Sequence, residues 1–194
     1  MNQEYIKKAK TAIKNGEKVI NPSCIILMGF PGTGKSYTSH YLNEKYNYTI
    51  LSGENITHAI FGTEKCTGEQ YKQAYKILNF LAKELIDSGY RIIIDGTNLK
   101  KEFRTNIYNS MNNDVKVFGI YLYTSDEIAL NRANSRGINV NNPTNILSSC
   151  SKETFEGFKK QLELPNEDEN FFMIESNENL LNTLDIVIKE NEIN

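Results

Sequence analysis

The stretch CIILMGFPGTGKSYTSHYL, residues 24–42, decides the fold class. It opens with an apolar, partly β-branched run, which predicts a buried strand. Gly29–Ser36 follows and fits the pattern G-x-x-x-x-G-K-[ST], and a helical pattern begins at about residue 35. A strand, a glycine-rich turn and a helix in this order predict a loop whose backbone N–H groups surround phosphate oxygens. The simpler alternative is a glycine-rich turn followed by a solvated lysine.

The motif assigns individual roles within this loop. Lys35 is expected to reach the β- and γ-phosphates of ATP, and the Ser36 hydroxyl is expected to bind Mg²⁺. The sequence therefore predicts ATP and Mg²⁺ as ligands. The residues expected to contact the nucleotide are Gly29, Phe30, Pro31, Gly32, Thr33, Gly34, Lys35, Ser36 and Tyr37.

Length and composition narrow the class of protein. With 194 residues the chain is predicted to form a single domain, residues 1–194, and its net charge of −2 gives no global signal for nucleic acid. The N-terminus lacks the apolar core of a signal peptide, and no run approaches the length of a membrane span. Three widely spaced cysteines favour neither a disulfide framework nor a zinc site. We therefore expect a cytoplasmic protein that does not contact membranes; its oligomeric state is left open.

Strand and helix patterns alternate along the chain. Further strands are predicted at about 48–51, 91–94, 115–123 and 171–174, which implies a parallel sheet covered by helices on both faces. Residues 1–20 are predicted to form an N-terminal helical extension, with the helix over 2–15. A long helix is predicted over 69–88, with Tyr75, Leu78, Leu81 and Leu85 on one apolar face.

Two carboxylates follow predicted strands. Asp95 ends one strand, where it would lie at the carboxyl edge of the sheet and hold Mg²⁺ together with Ser36; the alternative role is to start a turn before Gly96. Glu54 follows another strand and is predicted to orient and deprotonate an acceptor hydroxyl. The alternative for Glu54 is a charge that stabilises a helix N-terminus.

Two arginines precede a polar, asparagine-rich segment. Arg132 and Arg136 are four residues apart, so a helix places them on one face. They are predicted to neutralise charge on the transferred phosphoryl group, with residues 135–151 forming a mobile lid. The alternative is a solvated basic helix end that complements the helix dipole.

Over residues 22–175 the chain resembles the P-loop kinases related to polynucleotide 5′-hydroxyl kinases. The stretch IIIDGTNLKKEFR resembles the family signature D-[AG]-T-N-L followed by an arginine, here Arg104, and NRANSRG resembles the family's lid. The resemblance implies about five parallel strands in the order 2-3-1-4-5 and an arginine-bearing lid. The segment after the lid also matches the family, with Phe155, Glu156, Pro165 and Glu169 in corresponding places.

The acceptor-side segment SGENIT departs from the family pattern. Glu54 stands where the family has an aspartate, and Thr57 stands where the family has an arginine that contacts an acceptor phosphate. The same segment partly resembles small-molecule kinases such as adenylylsulfate kinases. The expected activity is transfer of the γ-phosphate of ATP to a hydroxyl, with a polynucleotide 5′ end favoured. The alternatives are a kinase of a small hydroxylated metabolite and a regulatory ATPase without an acceptor.

Overall fold

A computed structural model describes residues 1–62, 66–135 and 149–192. Its five strands are β1 (Ser23–Met28), β2 (Thr49–Ser52), β3 (Ile92–Asp95), β4 (Lys116–Tyr123) and β5 (Phe171–Glu175). Its helices are α1 (Gln3–Lys10), α2 (Lys35–Tyr46), α3 (Gly53–Phe61), α4 (Gly68–Asp87), α5 (Lys101–Ser110), α6 (Asp126–Asn134), α7 (Lys152–Lys159) and α8 (Leu180–Glu192).

All neighbouring strands of the sheet run parallel, in the order β2-β3-β1-β4-β5. The predicted fold class, a parallel sheet in the order 2-3-1-4-5 with flanking helices, is confirmed. Because β1 is the central strand, the glycine-rich loop that follows it lies at the middle of the side of the sheet where the strands have their carboxyl ends.

Each face of the sheet carries its own apolar core. Along β1, Cys24 and Ile26 pack with α1, α3, α4 and α5, whereas Ile25 and Leu27 pack with α2 and α8. Successive strand residues point to opposite faces, so a fully apolar strand supplies both cores at once. The strands that carry the candidate site are therefore anchored from both sides.

The N-terminal segment differs from its prediction. Helix α1 ends at Lys10, and residues 14–19 then run as an extended strap along the outer edge of the sheet. Lys14 exchanges both backbone hydrogen bonds with Ile50 of β2, and the Val19 N–H bonds the Gly89 carbonyl. Backbone groups of an edge strand that would otherwise face solvent are thereby paired.

Helix α3 begins where the alternative role of Glu54 required a helix N-terminus. Its N-cap Ser52 accepts a hydrogen bond from the Asn55 N–H, and Ile56 and Ile60 are buried one turn apart. Helix α1 packs against this helix, with the rings of Tyr5 and Phe61 in edge contact at 5.3 Å. The N-terminal segment thus supports the helix that begins beside Glu54.

None of the helices in the described ranges combines the length and the apolarity needed to cross a lipid bilayer.

Candidate active site

The loop of residues 29–36, called the P-loop below, curls around the N-terminus of α2. Gly29, Gly32 and Gly34 all adopt positive φ angles, a conformation that is strained for other residues. At Gly32 (φ +87°) a methyl group would also lie 1.9 Å from the Ala129 carbonyl oxygen. The backbone can therefore take this path only with glycine, and the path leaves a concave surface at the start of α2.

Lys35 lies across this loop. Its Nζ donates a hydrogen bond of 2.8 Å to the Phe30 carbonyl oxygen, and the residue is buried. The Thr33 hydroxyl donates to the same carbonyl at 2.9 Å. The ammonium group is thus held at the loop, in the region where the motif places phosphates.

Ser39, which was not among the predicted site residues, connects Asp95 to Ser36. The buried Ser39 hydroxyl lies 3.2 Å from Asp95 Oδ2 and 3.0 Å from the Ser36 carbonyl oxygen. Ser39 follows Ser36 by one helical turn, so the helical spacing was a usable signal. This contact brings the carboxyl end of β3 to the first turn of α2.

The turn after β3 supports the P-loop strand. Asn98 has a positive φ of 45°, and its Nδ2 donates a 2.7 Å hydrogen bond to the Leu27 carbonyl. Neither Thr97 nor Asn98 caps α5, although both precede it, because the N-cap of this helix is Lys100. Glu163 instead accepts the Lys101 N–H at 2.7 Å.

The signature arginine, Arg104, is a buried structural residue. Its side chain is fully buried and makes a bidentate pair with Glu169, at 2.6 and 3.0 Å. A further guanidinium nitrogen donates to the carbonyls of Asn98 and Leu99, at 3.1 and 2.9 Å. Arg104 therefore fixes the turn after β3. That turn holds β1 through the hydrogen bond from Asn98 to the Leu27 carbonyl.

The charge on Glu169 makes this support sensitive to pH. Burial opposes ionisation, but hydrogen bonds from Arg104 and from the Asn166 N–H hold the pKa of Glu169 below its usual range. A lowered pKa contributes stability that is complete above the unfolded-state value of about 4.3. This contribution is lost as the pH falls through the lower folded-state pKa.

Replacing Glu169 with Gln is expected to destabilise the fold by about 3–5 kcal/mol at neutral pH, because Arg104 keeps its buried charge without a carboxylate. Urea unfolding measures the loss. Glu167→Gln, an exposed position in the same short 3₁₀ turn, is the matched control and should leave stability nearly unchanged. Equal stability of the two variants would show that the pair does not hold the turn.

Glu54 lies in the first turn of α3, directly after β2. Ser52 and Asp95 are register partners on adjacent strands, so the turns that carry Glu54 and Asp95 are neighbours at one sheet edge. Thr57 is fully buried, and its hydroxyl donates a hydrogen bond of 2.6 Å to the Gly53 carbonyl oxygen. The Thr57 side chain therefore faces the protein interior.

An open cleft of about 460 Å³ adjoins the P-loop. Arg132 of α6 lies on it and donates a 3.3 Å hydrogen bond to Ser176, just beyond β5. The residues at the end of β5 were not predicted as part of the site, although they follow a strand at the same sheet edge. The lining consists of Gly32, Gly34, Tyr37, Arg132, Ser176, Asn177, Glu178, Leu180 and Leu181.

The second predicted arginine, Arg136, and residues 136–148 of the predicted lid lie outside the described residues. On the far side of that gap, Phe155 of α7 is buried, and its ring lies 5.4 Å from that of Phe30 in the P-loop. The segment after the predicted lid therefore packs behind the P-loop.

The oxygen groups at this edge suit Mg²⁺. Asp95 supplies a carboxylate and Ser36 a hydroxyl, which are hard oxygen ligands. In the described part of the chain there is no cluster of three or more His, Cys, Asp or Glu residues that could hold a metal. Mg²⁺ commonly uses one or two protein ligands, with the remainder supplied by water and phosphate. Ser36 and Asp95 fit that pattern.

The family model AAA_33, described as an AAA domain, matches residues 24–165. The chain belongs to the AAA_33 family. The match includes every residue that the sequence singled out for the site, from the P-loop through Glu54 and Asp95 to the two arginines.

Relatives of this AAA_33 protein include a curated enzyme and several solved structures. The L-seryl-tRNA(Sec) kinase of Methanococcus maripaludis is 28% identical over 149 residues, which are 73% of this chain and 56% of that enzyme. The chain therefore spans little more than half the length of the curated relative.

Two solved structures share the fold. A sugar kinase from Janibacter sp. HTCC2649 has a TM-score of 0.64 at 14% identity, over 87% of this chain and 93% of that one. Kti12 of Chaetomium thermophilum, in complex with ADP-AlF3, has a TM-score of 0.62 at 17% identity, over 87% and 98%. The AAA_33 chain thus has the fold of P-loop kinases.

Proposed function

We propose that this protein is an ATP- and Mg²⁺-dependent kinase that transfers the γ-phosphoryl group to a hydroxyl carried by a nucleic acid. The observation that carries the proposal is the placement of the P-loop, Asp95 and Glu54 at one edge of the sheet. A phosphate loop alone would serve any nucleotide-binding protein. The additional carboxylate in the turn next to Asp95 gives this site an acceptor side.

The proposed reaction assigns each group a task. The backbone N–H groups of Phe30 and of residues 32–36, together with the Lys35 ammonium, bind the phosphates, whereas Pro31 has no N–H to offer. Arg132 and Arg136 neutralise charge on the transferred group. Ser36 and Asp95 would hold Mg²⁺, which when bound would supply charge neutralisation at the phosphates. The acceptor oxygen bonds the γ-phosphorus as the bond to the β,γ-bridging oxygen breaks, and the hydroxyl proton passes to Glu54. The products are ADP and the phosphorylated acceptor.

The open cleft beside the P-loop offers a place for the nucleoside part of ATP. Its lining includes Gly32 and Gly34 of the P-loop, and it also includes polar Asn177 and Glu178 and apolar Leu180. An apolar surface with a few polar groups is the usual lining for a heterocyclic ligand. We place the base and ribose in this cleft.

Two lines support a nucleic-acid acceptor. The sequence signature resembles that of polynucleotide 5′-hydroxyl kinases, and the similar enzyme of Methanococcus maripaludis is an L-seryl-tRNA(Sec) kinase. A 5′-hydroxyl is the first candidate, and the seryl hydroxyl of a charged tRNA is the second. Both are hydroxyls carried at the end of a nucleic acid.

The burial of Thr57 favours another class of acceptor, a small hydroxylated metabolite. A buried hydroxyl bonded to Gly53 cannot replace the bidentate phosphate contact of an arginine. An acceptor without a phosphate at that place would not need the contact. The same architecture occurs in a sugar kinase.

A transfer assay with γ-labelled ATP tests the proposal. The acceptor panel contains RNA and DNA oligonucleotides with 5′-hydroxyl ends, the same oligonucleotides with 5′-phosphates, seryl-tRNA, and common sugars. We expect label on a 5′-hydroxyl oligonucleotide or on seryl-tRNA, and none on the 5′-phosphorylated controls. Label on sugars alone would replace the proposal with the metabolite candidate, and release of free phosphate alone would indicate an ATPase.

Asp95→Asn is expected to raise the Mg²⁺ concentration for half-maximal turnover by roughly tenfold or more, because a neutral amide is a weaker ligand than a carboxylate. Nucleotide binding measured without metal should change little. Asp114→Asn, which removes an exposed carboxylate just before β4, is the control. Equal small effects of Asp95→Asn in both assays would assign Asp95 to the turn and not to the metal.

A further inference from the structure

The hydroxyl of Tyr75 lies between the turns that carry the two proposed functional carboxylates. A methyl group at Gly53 would lie 2.8 Å from Tyr75 Oη, and a methyl group at Gly96 would lie equally close. Gly53 immediately precedes Glu54, and Gly96 immediately follows Asp95. Tyr75, from the second turn of α4, therefore places its oxygen between the ends of β2 and β3.

Packing explains the ring of Tyr75 but not its hydroxyl. The ring stacks on Phe103 of α5, with centroids 5.4 Å apart and planes inclined by 30°. Within the described residues, Tyr75 Oη makes no hydrogen bond. A phenylalanine would pack equally well against Phe103, so the oxygen calls for a different explanation.

Tyr75 retains its proton at neutral pH. Burial, followed by the charges of Asp95, Tyr71 and Glu54, raises the pKa of Tyr75 to about 12. A protonated phenol is a hydrogen-bond donor. The carboxyl ends of β2 and β3 thus carry two carboxylates, those of Glu54 and Asp95, which can accept hydrogen bonds, and the Tyr75 hydroxyl, which can donate one.

We infer that Tyr75 Oη donates a hydrogen bond to the acceptor substrate, at an oxygen close to the hydroxyl that becomes phosphorylated. This assignment rests on the proposed function, because it requires a hydroxylated acceptor beside Glu54. The reacting hydroxyl gives its proton to Glu54, and the second contact fixes the orientation of the acceptor. Acceptors with a second oxygen near the reacting one, such as a ribose or a seryl ester, fit this arrangement.

Tyr75→Phe tests the inference, since it removes the hydroxyl and keeps the stacked ring. Using the acceptor identified by the transfer assay, we expect the KM for that acceptor to rise about 3- to 10-fold, the size of one neutral hydrogen bond. The KM for ATP and the Mg²⁺ concentration for half-maximal turnover should stay within about twofold of wild type, since one hydrogen bond is lost on the acceptor side only.

Tyr108→Phe is the matched control. It removes another partly buried tyrosine hydroxyl, which donates to the Glu169 carbonyl. This change should affect stability and leave the acceptor KM unaltered. An unchanged acceptor KM in Tyr75→Phe would overturn the inference. A shift confined to the Mg²⁺ dependence would also overturn it, because Tyr75 would then orient Asp95.

A second variant tests the same contact sterically. Gly96→Ala places a methyl group 2.8 Å from Tyr75 Oη, too close for the oxygen to keep its place, and this glycine is not among those with positive φ. Gly96→Ala should therefore raise the acceptor KM in wild type but add little in the Tyr75→Phe background. Additive effects of the two changes would contradict a shared role.

The transfer assay separates failure of this inference from failure of the proposed function. If wild type labels no hydroxylated acceptor, the proposed function fails and the Tyr75 assignment fails with it. If wild type labels an acceptor and Tyr75→Phe does so with unchanged kinetics, only the Tyr75 assignment fails.

Discussion

Lys35→Ala is expected to reduce phosphoryl transfer by roughly 10³-fold or more. In P-loop enzymes the lysine neutralises charge on the β- and γ-phosphates, and loss of one preorganised donor of this kind typically costs about 10²–10³-fold. Here the lysine also donates to the Phe30 carbonyl within the loop, so its loss removes a contact of the cradle as well. Steady-state transfer with γ-labelled ATP measures the effect, and calorimetric titration measures ATP affinity.

Lys7→Ala provides the control. Lys7 is exposed on α1, and its replacement removes the same charge from the chain. It should behave as wild type in both assays. Near-normal turnover of Lys35→Ala would remove the P-loop from the mechanism, whatever the shape of the loop.

Glu54→Gln is expected to lower transfer to the true acceptor by about 10²-fold. General-base assistance typically contributes about 10²–10⁴-fold, and the loose transition state of phosphoryl transfer places the effect in the lower part of that range. Glutamine retains the size and hydrogen-bonding capacity of Glu54 but not its charge or basicity. ATP affinity should change little, since Glu54 belongs to the acceptor side of the site.

The same change at Glu4, which is exposed in the first turn of α1, controls for the loss of a helix N-terminal carboxylate. If both variants lose only stability and keep transfer, Glu54 is a helix charge and not a base.

Local patterns were sufficient to predict the sheet and the phosphate loop. The apolar run before Gly29 and the glycine–lysine motif lie within a dozen residues, and their geometry depends on that short stretch. The order of the strands came from resemblance to a family, because periodicity alone does not state which strands are neighbours. The predicted edge position of Asp95 followed from the parallel sheet and agrees with the structure.

Contacts between distant residues could not be predicted in this way. Arg104 and Glu169 are 65 residues apart, and nothing near either residue indicates a buried ion pair. The helix predicted over residues 2–15 ends at Lys10, and the backbone of Lys14 pairs instead with Ile50 of the edge strand β2. Tertiary pairing here outweighs local propensity.

Tyr75 illustrates the same limit within the site. The sequence places it on the apolar stripe of α4 with Leu78 and Leu81, and the ring does pack inward. Only the fold shows that the oxygen at the tip of that ring reaches Gly53 and Gly96. A periodic pattern assigns a side chain to a face, but not the position of its terminal atom.

The ratio of phosphorylated acceptor to ADP tests the central claim most directly. It is measured in one reaction with γ-labelled ATP, Mg²⁺ and a 5′-hydroxyl oligonucleotide or seryl-tRNA in excess. A kinase with the proposed acceptor side should form nearly one phosphorylated acceptor per ADP, with free phosphate as a minor product. Free phosphate equal to ADP, formed at the same rate with and without either acceptor, would contradict the account.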